Sequence, residues 1–140
     1  QKNGTNRKEC SMRKTIEKRL IRFSVSIINF CKHLENDFAS QHFSHQIIRS
    51  SSSSALNYGE AQGATSKKDF IHKTSIVLKE LRETHISLQI LEEAKLSNDS
   101  RLLAILIKEN NELVAIFHKT VITAKENIEH RPSKIENRPI

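Results

Sequence analysis

The sequence predicts an all-α protein, an up-down-up-down antiparallel four-helix bundle, and three observations carry that prediction. Only three glycines (Gly4, Gly59, Gly63) and two prolines (Pro132, Pro139) occur in 140 residues. Sandwiches, barrels and doubly wound α/β folds need tight turns every ten or so residues, and Gly and Pro make those turns. The same scarcity removes GxGxxG and P-loop phosphate cradles. Apolar residues recur at spacings of four and three along four long segments, as helices facing a common core require. The segments are joined by short connections, and short loops make consecutive helices antiparallel neighbours.

The first helix reads from Ile16 through Leu20, Phe23, Ile27, Phe30 and Leu34, with Ile21, Ile28 and Cys31 widening the stripe. Lys14, Lys18 and Arg22 repeat every four positions and share one face. Asn36, Asp37 and Ser40 compete for backbone hydrogen bonds and predict the helix end near Asp37–Phe38.

Residues 41–62 are open to two readings. The run Ser50–Ser54 resembles a low-complexity linker. Phe43, Ile47, Ile48, Ala55, Tyr58 and Ala61 keep helical spacing on both sides of it. Serines in a helix can back-bond to carbonyls one turn earlier and let a neighbour approach closely.

Ser66 caps the third helix, with Asp69 three residues on. Phe70, Thr74, Val77, Leu81, Thr84, Leu88 and Leu91 form its stripe, which is expected to stop near Ser97–Asp99. Asn98 or Asp99 caps the fourth helix, whose stripe is Leu102, Leu103, Leu106, Leu113, Ile116, Phe117, Thr120 and Ala124. Glu109 and Asn110 interrupt it where leucine is expected. The division is therefore a basic flexible segment over 1–14, a bundle over 15–128 and a flexible tail over 129–140. Residues 1–11, which precede the chain's one methionine, Met12, read as a cloning remnant or an alternative start.

The net charge of +7 is concentrated at one end. Residues 1–22 hold eight basic residues against Glu9 and Glu17, whereas residues 23–128 balance. Such an end suits an anionic partner, RNA or DNA before an acidic lipid surface. The expected phosphate contacts are Lys14, Lys18, Arg19 and Arg22, with Lys67 and Lys68 secondary. Because the aromatics lie mostly on apolar stripes and Trp is absent, shape is expected to matter more than base sequence.

No catalytic set is evident. His42 and His45 lack a carboxylate or cysteine at ligand spacing, Glu80 and Glu83 lack a nucleophile, and no Glu-x-x-His occurs. A non-enzymatic protein without metal or cofactor is expected. The longest apolar run, Leu102–Ile107, falls far short of a membrane span, so a cytoplasmic location is expected.

Gln46, Arg49, the serine run, Asn57, Glu60, Ala61, Asp69, Phe70, Lys79, Glu80, Glu83 and Thr84 stand in an order and spacing that resembles the bacterial 23S rRNA intervening-sequence proteins. The resemblance covers roughly Ile16–Ala124 and implies that the serine run is helical. It implies a barrel-shaped homopentamer, as in the similar accessory variability determinant of diversity-generating retroelements, which binds nucleic acid and a reverse transcriptase. It also implies that Gln46, Arg49, Asn57, Glu60, Glu80 and Glu83 serve as buried or interfacial polar partners. The functional expectation is an electrostatic RNA- or DNA-binding homo-oligomer, an accessory to a reverse transcriptase or to an rRNA intervening-sequence element. The alternative is a scaffold that binds protein and no nucleic acid.

Overall fold

The structure, a computed structural model, describes residues 2–129. Four helices account for nearly all of them: α1 (Lys2–Cys31), α2 (Phe38–Gln62), α3 (Lys67–Glu93) and α4 (Ser100–Glu129). Each helix packs on the next in the chain, and α1 returns to α4 across the loosest of the four seams. Across the α1–α2 and α2–α3 seams partners pair in opposite chain order. Glu17 lies beside Gly59 while Cys31 reaches Ser44. Glu60 meets Lys73 while Arg49 meets Glu83.

The predicted stripes form the core. Leu20, Phe23, Ile27 and Phe30 of α1 are buried with Val77, Leu81, Leu88 and Leu91 of α3 and with Leu103, Leu106, Leu113 and Phe117 of α4. Tyr58 stacks edge-on against Phe117 at 5.3 Å between centroids, a favoured aromatic geometry. Ile21 and Ile28 do not join the buried stripe: they are 49% and 37% exposed, on a flank that no other described helix covers.

The first helix differs at both ends from its expected bounds. It begins at Lys2 rather than Ile16, so the segment expected to be flexible is helical from Lys2, although residues 7–15 are exposed. Once a helix is nucleated by its packed half, each further residue adds one hydrogen bond at low cost. It ends at Cys31, and Asp37 instead opens α2: its carboxylate accepts from Ser40 N at 2.8 Å and from Ser40 Oγ at 2.9 Å. From His130 onward the expected tail lies outside the described residues.

Those hydrogen bonds, the one from the Ser40 amide first, hold the Asp37 carboxyl below its ordinary range. A depressed folded value means its stabilising contribution is present above the unfolded pKa and is lost as pH falls through the folded one. Amide exchange across residues 38–41 should therefore quicken selectively below the ordinary carboxylate range, and Asp37→Asn should flatten that response. An unchanged acid response in the variant would contradict the cap.

The serine run is helix. Ser50, Ser51 and Ser54 are fully buried. Ser54 Oγ donates to Ser51 O and Ser52 Oγ to Ile48 O, both at 2.6 Å, while Ser50 Oγ and Thr84 Oγ1 share a hydrogen bond at 2.6 Å across to α3. Small side chains that satisfy themselves locally let α2 and α3 form the most extensive seam of the bundle.

Ser66 caps α3 by accepting from Asp69 N at 3.0 Å, and Asp99 caps α4 by accepting from Leu102 N at 3.0 Å. Helix α3 ends earlier than expected, at Glu93, where Leu96 N bonds to Leu91 O and Lys95 takes a positive φ of 55°. That left-handed closing position is one glycine usually fills. Asn110 completes the core: it is 0% exposed, and its Nδ2 donates to Leu81 O at 3.0 Å while its Oδ1 has no partner.

Burial pushes the Cys31 thiol up to about 11, whereas Cys10 is exposed. Since the thiolate is the nucleophile, neutral iodoacetamide should label Cys10 rapidly and leave Cys31 largely unmodified. Equal labelling of the two, read by mass spectrometry, would contradict this packing.

Candidate nucleic-acid interface

Helical spacing alone aligns Lys14, Lys18 and Arg22 on the solvent face of α1, and all three are exposed. None of them enters an ion pair among the described residues. Arg19 is one residue, hence about 100° of helix turn, from Lys18 and is placed differently. Its Nε meets Glu109 Oε1 at 2.6 Å and its Nη2 meets Glu112 Oε2 at 2.5 Å on α4. The hydrogen bond it donates to Glu109 is the main reason its pKa is raised. Two carboxylates already occupy its donors, so Arg19 clamps α1 to α4 and its charge is spent locally. This also accounts for Glu109 interrupting the α4 stripe.

Beside that clamp the loose seam leaves a groove of about 380 Å³, bordered by Lys18, Arg22, Phe23, Ser26, Ile105 and Glu109. Its floor is apolar and its α1 rim is basic. Lys67 and Lys68 are exposed in the first turn of α3. Lys67 shares a cavity of about 510 Å³ with Arg13 of α1, so the structure joins the first turn of α3 to the N-terminal half of α1. Arg13 itself, absent from the residues singled out by spacing, holds its guanidinium 5.5 Å from the centroid of the Phe70 ring, a cation–π distance.

Of the remaining polar residues, Arg49, Glu60, Glu80 and Glu83 pair across the α2–α3 seam, and Gln46 and Asn57 bond within α2. Arg49 Nη2 meets Glu83 Oε1 at 2.5 Å, Arg49 Nη1 meets Glu80 Oε2 at 3.2 Å, and Arg49 Nη2 donates to Gln46 Oε1 at 3.5 Å. The hydrogen bond to Glu83 leads the causes that raise the Arg49 pKa. Glu60 Oε2 meets Lys73 Nζ at 2.6 Å, and Asn57 Nδ2 donates to Ser53 O at 2.8 Å. Spacing by four pairs Lys73 with Asp69 on α3, whereas in the fold it meets Glu60 of α2. These largely exposed pairs each contribute little to stability; they fix which helix faces meet.

Among the described residues no three His, Cys, Asp or Glu side chains converge as a metal site would require. His42 instead packs edge-on against Phe43 at 5.1 Å. Among the same residues no helix is long and apolar enough to cross a membrane.

Comparison with known proteins adds the lineage. The chain is similar over 76% of its length to a crystal structure of a protein with unknown function from the S23 ribosomal protein family of Bacteroides thetaiotaomicron, covering 97% of that chain at 29% identity and a TM-score of 0.68. No curated protein matches. The family model of the 23S rRNA-intervening sequence protein matches residues 14–119. With the four helices in place and most of the chain matched, the protein belongs to the 23S rRNA-intervening sequence protein family.

Proposed function

We propose that this protein is a non-enzymatic, cytoplasmic nucleic-acid-binding subunit: an up-down-up-down bundle that assembles into a homo-oligomer, a pentameric barrel in the favoured form. It grips RNA or DNA through phosphates, by shape rather than sequence. The observation that carries the reading is the exposed row Lys14, Lys18 and Arg22, unpaired among the described residues while Arg19, Arg49 and Lys73 are all engaged. Cations left without acidic partners on one helix face are suited to phosphate contact. The opposite chain order of the seam partners supports the helix directions. A gel-shift titration against a structured RNA at several salt concentrations tests the reading. Binding that weakens steeply with salt is expected, and the lack of any salt-sensitive binding up to tens of micromolar would overturn it.

Exposed apolar residues support the oligomer. Ile21, Val25 and Ile28 lie exposed on α1, Ile86 and Ile90 on α3, and Ile105 and Ile122 on α4. A closed ring needs two different patches that meet head to tail, and light scattering is expected to give a multiple of the 16.1 kDa chain mass. The same patches favour the second reading, a scaffold for a protein partner such as a reverse transcriptase. In a pull-down, direct contact survives nuclease treatment and nucleic-acid tethering does not.

A further inference from the structure

We propose that the end of the bundle where all four helices meet is a pocket for one unpaired nucleotide of a bound strand, its base against Phe70 and its phosphate between Arg13 and Lys67. This rests on the nucleic-acid reading above and adds a base-holding site to what is otherwise a phosphate-only surface.

Two cavities adjoin there, of about 490 Å³ and about 510 Å³, and both are bordered by Glu9, Arg13, Phe70, Ala124 and Asn127. Each is of the size that small-molecule sites occupy. They differ in chemistry. The first has mainly apolar walls from Met12, Ile16, Phe70 and Ile116, with Lys119, Thr123 and Asn127 also bordering it. The second is polar, with Gln62, Ser66 and Lys67 facing Arg13. A nucleotide has the same two-part character, a flat apolar ring joined to an anionic group.

The wall between the cavities is a stacking surface. Arg13 lies over the Phe70 ring at 5.5 Å, and unpaired bases pack on aromatic rings and guanidinium planes alike. Met12 is 63% exposed on a helix that is otherwise polar at this end, which leaves apolar surface for a base to cover. Thr123 and Asn127 are four residues apart and share one face of α4. Between them they offer donors and acceptors to a base edge, and Glu9 offers an acceptor to an amino or hydroxyl group. On the other side Lys67 and Arg13 supply two cations to the phosphate, next to the first turn of α3, where the helix dipole also favours an anion.

Fluorescence anisotropy of two labelled RNA hairpins, one fully paired and one with a single unpaired adenosine, tests this at fixed salt. The bulged hairpin should bind about tenfold tighter, the joint effect of stacking and base-edge hydrogen bonds. Thr123→Ala with Asn127→Ala, both exposed positions, should cut that preference about threefold, the share of the base-edge hydrogen bonds, and leave the paired hairpin's affinity within about twofold. Lys18→Glu with Arg22→Glu should weaken both hairpins alike. Equal affinities for the two hairpins, or a preference unchanged in the alanine variant, would overturn the pocket while leaving phosphate binding intact. If neither hairpin binds, the nucleic-acid reading itself fails. Adenosine monophosphate binding more tightly than the bulged hairpin would assign the pocket to a free nucleotide instead of a strand.

Discussion

Asn110→Asp should destabilise the bundle by about 3–5 kcal/mol at neutral pH, the cost of an uncompensated buried charge. The change is nearly isosteric, so the loss isolates electrostatics. Asn110 is fully buried and its Nδ2 donates to Leu81 O; a carboxylate would place an acceptor against that carbonyl. The Oδ1 has no donor nearby to turn to. Desolvation raises the folded pKa of such a carboxyl above the unfolded value of about 3.9. The variant should thus approach wild-type stability below that value and lose it as pH rises toward the raised one. Asn111→Asp, on the exposed neighbour, should change little. Urea denaturation of both variants at acid and neutral pH gives the comparison, and a neutral-pH loss below about 1 kcal/mol would contradict the packing of α3 on α4 around this residue.

The second large effect is on binding. Lys14→Glu, Lys18→Glu and Arg22→Glu together should weaken RNA affinity by on the order of a hundredfold or more near 0.1 M salt, because three phosphate contacts and their counterion release are lost. All three side chains are exposed, so the fold should be unaffected. Arg19→Gln makes the contrast. It removes a cation from the same helix, but one already held by Glu109 and Glu112. Its affinity for RNA should change by less than about threefold, since it adds no free charge to the surface, and stability should drop by under about 1 kcal/mol.

The bundle is legible in the sequence because four stripes at helical spacing leave few alternatives. What escapes is whatever depends on a neighbour. Ile21 and Ile28 fit the α1 stripe by spacing, yet spacing does not say which flank another helix covers. Asn36, Asp37 and Ser40 mark a helix boundary correctly but not its side: side chains that compete with a helix's end also cap the next one's start, and Asp37 does the latter. Residues 2–15 carry no apolar pattern, so their helix is invisible to periodicity. Asn110 interrupts a leucine stripe without saying that it turns inward to bond Leu81. The site divides the same way. Lys14, Lys18 and Arg22 follow from spacing by four, but Arg19 belongs with them by composition and leaves them by geometry. Arg13 gains its role only because folding sets Phe70, more than fifty positions away, beneath it.

The salt dependence of binding reads out phosphate contact by the free cations of α1. The logarithm of the association constant should fall linearly with the logarithm of salt concentration, and the α1 triple reversal should make that slope shallower by about 2 to 3, or roughly 0.7–0.9 for each lost phosphate contact. An unchanged slope and affinity in the reversed variant would contradict it.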